Sequence, residues 1–73
     1  MAKDAEIIRI AEVRGKDGST AYEIHGGKHG EGETSYYLTK EAMRDLEKGS
    51  KHEREATLRR GLETAFEGRK GQD

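Results

Sequence analysis

The residues able to do chemistry gather in two stretches. His25, His29, Glu31 and Glu33 lie close together, and imidazole with carboxylate is the donor set of zinc, nickel or copper sites. The glycines among them, in the run GGKHGEGE from Gly26 to Glu33, leave their geometry indefinite. That run also lacks apolar side chains to build the shell that holds metal ligands in place. The second stretch, His52-Glu53-Arg54-Glu55-Ala56, begins like the metalloprotease pattern HExxH, in which two histidines a helical turn apart hold zinc beside a glutamate base. Ala56 stands where the second histidine must be, and the reading ends there. The glycine-rich run also fails as a phosphate loop. Lys28 is followed by His29 rather than Ser or Thr, and Tyr22 occupies the place of the first required glycine. Ser19, Ser35 and Ser50 lack a nucleophile-elbow context, and with no cysteine there is no thiol nucleophile and no thiolate zinc site. The sequence therefore predicts no catalytic residue, no metal site, no cofactor and no enzymatic activity.

Composition bounds what remains. Beyond Met1 the 73 residues include only 14 large apolar side chains: Ile7, Ile8, Ile10, Val13, Tyr22, Ile24, Tyr36, Tyr37, Leu38, Met43, Leu46, Leu58, Leu62 and Phe66. That makes one small core. At roughly 2 kcal/mol per well-buried side chain, against about 1.5 kcal/mol of entropy per ordered residue, a lone monomer is marginal. A homodimer or a protein partner is expected to complete it. A membrane span needs about 20 consecutive apolar residues, whereas the longest aliphatic run is Ile7-Ile8 and the longest run of large apolar residues is Tyr36-Tyr37-Leu38. With no secretory signal either, the expectation is a soluble, cytoplasmic protein with no membrane partner. Fourteen basic against 15 acidic residues give a net charge of −1, neither the basic total of a nucleic-acid binder nor the acidic total of a DNA mimic. Contact with nucleic acid would have to come from local basic patches.

The elements that position these residues are legible from spacing. Residues 6 to 14, EIIRIAEVR, show the period of two of a half-buried strand, and Asp17-Gly18 supplies a hairpin turn. Thr20 to His25 reads as a second strand, the glycine-rich run as a loop that breaks regular structure, and Thr34 to Leu38 as a third strand. Thr39 can cap a helix over KEAMRDLEK that Gly49 ends, and Ser50 a second from Lys51 to about Glu67, with Leu58, Leu62, Ala65 and Phe66 on one stripe. Without proline, a single helix bent at Gly49 stays open. The predicted fold is a single α+β domain over residues 1–73, a three-stranded antiparallel meander followed by one or two helices packed on one face, with frayed ends at about 1–4 and 68–73.

Two surfaces stand out in this arrangement. With Ile8, Ile10, Tyr22, Ile24, Tyr36 and Leu38 toward the helices, the other sheet face carries Ile7, Val13, Ala21 and Tyr37 among Arg9, Glu23, His25 and Ser35. That mixture suits a protein interface or a homodimer seam, although Ile7-Ile8 and Tyr36-Tyr37 leave the strand frame open to a slip of one residue. Lys40, Arg44, Lys48 and Lys51 form one basic stripe if the helix continues through Gly49. The partner-binding residues read from this pattern are Arg9 and Tyr37 as anchors, with Lys40 and Arg44 steering an acidic partner.

The segment from Thr34 to Phe66, with its strand TSYYL, capped helix TKEAMRDLEK and second helix EATLRRGLETAF, resembles ribbon-helix-helix repressors. That likeness implies a dimeric DNA-binding regulator whose strand presents Glu33, Ser35 and Tyr37 to the bases. In size, charge balance and element order the whole chain looks like small phage or mobile-element inhibitor proteins of the anti-CRISPR type. This second likeness implies a non-enzymatic inhibitor or adaptor, phage-encoded, that occupies a surface of a host defence or nucleic-acid-processing complex and needs neither pocket nor cofactor.

Overall fold

The computed structural model describes residues 4–70. Strands β1 (Glu6–Arg14), β2 (Thr20–Lys28) and β3 (Gly32–Thr39) form an antiparallel sheet in the order β1-β2-β3, followed by helices α1 (Lys40–Glu47) and α2 (Lys51–Lys70). This is the α+β meander with helices that the spacing predicts. The fraying expected for residues 1–3 and 71–73 lies outside the described residues, while α2 continues past the expected end at Glu67.

Asp17 and Gly18 turn the first hairpin. Gly18 adopts a φ of 84°, and the Asp17 carboxylate accepts the Ser19 backbone N–H at 3.0 Å and the Ser19 hydroxyl at 2.6 Å. The second hairpin departs from expectation. Gly26 and Gly27 are strand residues of β2, and the reversal is confined to His29–Glu31, closed by Glu31 N–H donating to Lys28 O at 2.9 Å. Glycine is needed at Gly26 for closeness rather than flexibility. A Cβ there would collide with the Leu62 side chain of α2 and stand 2.7 Å from Glu6 O, so the strand continues because α2 fits down onto bare backbone.

Both helices begin on the predicted caps. Thr39 Oγ1 accepts from Ala42 N–H at 3.1 Å. Ser50 and Glu53 form a reciprocal capping box, with Ser50 Oγ accepting from Glu53 N–H and Glu53 Oε1 accepting from Ser50 N–H, each at 3.1 Å. Two helices therefore replace the single bent one, and the break divides the basic stripe, leaving Lys40, Arg44 and Lys48 before it and Lys51 after it.

The core lies between one sheet face and the helices. Ala5, Ile24, Met43, Leu58, Leu62 and Phe66 are buried, with Ile7, Tyr22, Tyr36, Leu38 and Leu46 packed against them. Leu58, Leu62 and Phe66 recur at the spacing of one helix face, while Ile24 pairs with Ile10 on one side and Tyr36 on the other. The Tyr36 hydroxyl donates to Leu58 O at 2.7 Å. At the far end Lys28 reaches Glu63 at 2.7 Å, and Glu63 also accepts from Ala5 N–H at 2.8 Å. One α2 carboxylate thus ties β2 and the approach to β1 to the helix, and its hydrogen bond holds the Lys28 ammonium above its ordinary value.

The frame of β1 corrects the sequence reading at two residues. Pairing with β2 shifts between Ile7 and Arg9, where a β-bulge leaves Ile8 as an extra residue. The bulge turns Ile7 inward, opposite Gly26 and against the core, and leaves Ile8 outward and 57% exposed. That is the reverse of the strict alternation expected. From Arg9 onward, and throughout β2 and β3, the expected faces hold, with Tyr36 inside and Tyr37 outside at 63% exposure.

Candidate functional site

No described element packs on the outer sheet face, because both helices share the core on the inner side. Alternation brings together Ile8, Arg9, Ala11 and Val13 from β1, Ala21, Glu23 and His25 from β2, and Glu33, Ser35 and Tyr37 from β3. At its centre runs a chain of polar contacts across all three strands. Arg9 Nη2 lies 3.3 Å from His25 Nε2. The same nitrogen lies 2.8 Å from Glu23 Oε1. The Tyr37 and Ser35 hydroxyls donate to Glu23 Oε2 at 3.2 and 3.4 Å.

One imidazole nitrogen therefore faces a donor and an acceptor and can satisfy only one at a time. With a proton on Nε2 it donates to Glu23, and without one it accepts from Arg9. Hydrogen bonding from His25, then from Tyr37, holds the Glu23 carboxyl below its ordinary value against the opposing effect of desolvation, with Ser35 adding a weaker contribution. The Glu23 carboxylate in turn pushes the Tyr37 phenol above its ordinary value. The Glu23 carboxylate holds the Tyr37 hydroxyl, whereas the Arg9 guanidinium is held through His25 only while Nε2 carries no proton.

The sequence-derived anchors Arg9 and Tyr37 are thus joined through His25 and Glu23. Glu23, His25 and Ser35 were legible as face residues, but their linkage depends on cross-strand register, which spacing alone does not give. Lys40 and Arg44 lie elsewhere. Both are exposed on α1, in the helical layer, and no hydrogen bond or ion pair among the described residues ties them to Tyr37 or Arg9. The metal-capable group is dispersed. His25 belongs to the sheet face, His29 is exposed in the turn, and Glu31 lies 3.7 Å from Lys28. Among the described residues no three His, Asp or Glu side chains are placed to hold a metal ion, and no helix is long and apolar enough to cross a membrane. No family model matches the sequence, and no curated protein or solved structure matches it either.

Proposed function

We propose that this chain is a non-enzymatic protein-binding inhibitor or adaptor, of the phage-encoded kind that blocks a host defence or nucleic-acid-processing complex, and that it works through the outer sheet face. The observation that carries this reading is the uncovered face itself. The exposed Tyr37 ring and Ile8 side chain flank Arg9, His25 and Glu23, with the Tyr37 hydroxyl held by Glu23. Tyr and Arg are the side chains that anchor protein interfaces, and a ring already held by its hydroxyl loses little freedom on binding. Charge favours a protein over DNA as the occupant. Glu6, Glu23 and Glu33 share the face with the single guanidinium of Arg9, which repels phosphates and disfavours the ribbon-helix-helix alternative. Lys40 and Arg44, exposed on α1 in the helical layer, steer an acidic partner through long-range charge rather than by contact at that face.

The test is affinity capture from host lysate with the wild-type chain and with Tyr37→Ala/Arg9→Ala. The double variant should keep its circular dichroism spectrum and lose the captured complex, with affinity reduced by roughly a hundredfold or more. Lys40→Glu/Arg44→Glu should slow association and flatten its salt dependence. An unchanged set of captured proteins in the double variant overturns the reading. So does a mobility shift of random duplex DNA at low salt that fades steeply as salt rises.

A further inference from the structure

We propose that the free edge of β1, with the groove it forms against α2, takes a second copy of this chain. β1 pairs with β2 on one side only, so its other edge offers unpaired backbone groups, a template for an added strand. The strand also exposes an isoleucine on each face, Ile8 outside at 57% and Ile10 inside at 45%. Ile10 belongs to the core face by register, yet the helical layer stops short of covering it. Between β1 and α2 lies a groove lined by Ile7, Ile10 and Leu58 together with Glu6, Arg54, Glu55 and Arg59.

The charge pattern selects β1 itself as the occupant. Opposed residues of an antiparallel pair must share a face, which limits where a two-fold axis can fall. An axis at Glu12 sets two carboxylates against each other, and an axis at Ala11 lays Glu12 over Ile10. An axis at Val13 faces Glu12 with Arg14 but overlaps the strands only over residues 12–14, since β1 ends at Arg14, and leaves Ile10 uncovered. An axis at Ile10 sets Ile10 against its own copy. Because Ile8 is the extra residue of the bulge, that axis brings Glu12 of the second copy over Ile7, into the groove that Arg59 and Arg54 line alongside Glu6 and Glu55. Neither Glu12 nor Arg59 has an ion pair or side-chain hydrogen bond among the described residues. The two-fold supplies both with partners, twice. The product is a continuous six-stranded sheet in which both outer faces stay open side by side, so the inference stands independently of the partner-binding reading.

Sedimentation equilibrium of the full chain, from low to high micromolar concentration, reads the association directly. A monomer–dimer equilibrium is expected. Glu12→Arg and Arg59→Glu should each raise the dimer Kd by roughly tenfold or more, and the two together should restore it to within about threefold. Ile10→Thr, which keeps a strand-forming residue, should weaken the dimer with an unchanged circular dichroism spectrum. A wild-type chain that stays monomeric throughout overturns the proposal, as does a dimer indifferent to both charge variants or an exchange that fails to restore association. A dimer lost in Tyr37→Ala but kept in Ile10→Thr also overturns it, by placing the seam on the outer face. Capture of the protein partner by Ile10→Thr separates the two readings, since that variant keeps the Arg9–Tyr37 surface.

Discussion

A Cβ on Gly61 would stand inside the space of the Tyr36 ring, with Tyr36 Cε2 only 2.8 Å away. The ring cannot simply retreat, because its hydroxyl is anchored on Leu58 O, one turn earlier in the same helix. Alanine would gain up to about 1 kcal/mol of helix propensity, but forcing a methyl into a filled contact costs about 1–3 kcal/mol. Gly61→Ala should therefore destabilise by about 1 kcal/mol in urea titration. In a Tyr36→Phe background, where the ring is no longer held, the penalty should shrink. A raised melting temperature in Gly61→Ala would contradict this contact.

The other glycines should separate by what surrounds them. Gly26→Ala pushes a methyl into Leu62 and to 2.7 Å from the Glu6 carbonyl, where backbone must move, so a loss of about 2 kcal/mol or more is expected. Gly68, also in α2, has nothing within 4 Å, and Gly68→Ala should stabilise by a few tenths to about 1 kcal/mol. Thermal melts of the two variants, moving in opposite directions, check the pair.

Deleting Ile8 should be tolerated. Removal of one residue from a strand normally sends every following side chain to the wrong face. Here Ile8 is the residue that breaks alternation, and without it Glu6, Ile7, Arg9 and Ile10 alternate out, in, out, in. The deletion variant should fold with amide chemical shifts of β2, β3 and both helices nearly unchanged, and should lose only outward apolar area. Global unfolding on deletion would show that the bulge itself is required.

Acid should weaken the outer-face network in a defined order. The folded Glu23 carboxyl lies below its ordinary value of 4.5, chiefly through His25 and next through Tyr37. Its contribution to stability is thus complete above 4.5 and fades as pH falls through the lowered folded value. In a carbon-detected NMR titration, His25→Ala should move the Glu23 midpoint up toward 4.5 by more than Tyr37→Phe does. An unmoved midpoint in His25→Ala would remove the hydrogen bond from the account.

The fold was legible where one local signal dominated. Asp17-Gly18, Thr39 and Ser50 each carry their own turn or cap chemistry, and Leu58, Leu62 and Phe66 recur at helical spacing regardless of what they face. Misreadings arose where the outcome depended on a distant neighbour. Gly26 and Gly27 look like a loop until Leu62, far along the chain, supplies a reason for bare backbone in a strand. Ile7 and Ile8 are chemically identical, so only the register against Gly26 and His25 decides which is buried. For the site, Arg9 and Tyr37 were recognisable by type, but their connection through a single nitrogen of His25 exists only once three strands are aligned.

The meander order has a kinetic consequence. Each strand lies beside its sequence neighbour, and the chain contains no proline, so neither topological rearrangement nor prolyl isomerisation delays the sheet. Hairpins of this kind close in about 1–10 μs. The hydrogen bond from Ala5 N–H to Glu63 spans 58 residues and forms only when α2 docks. The barrier to folding should therefore lie in seating α2 on Gly26 and Tyr36, and substitutions at that contact should slow refolding more than substitutions at either turn.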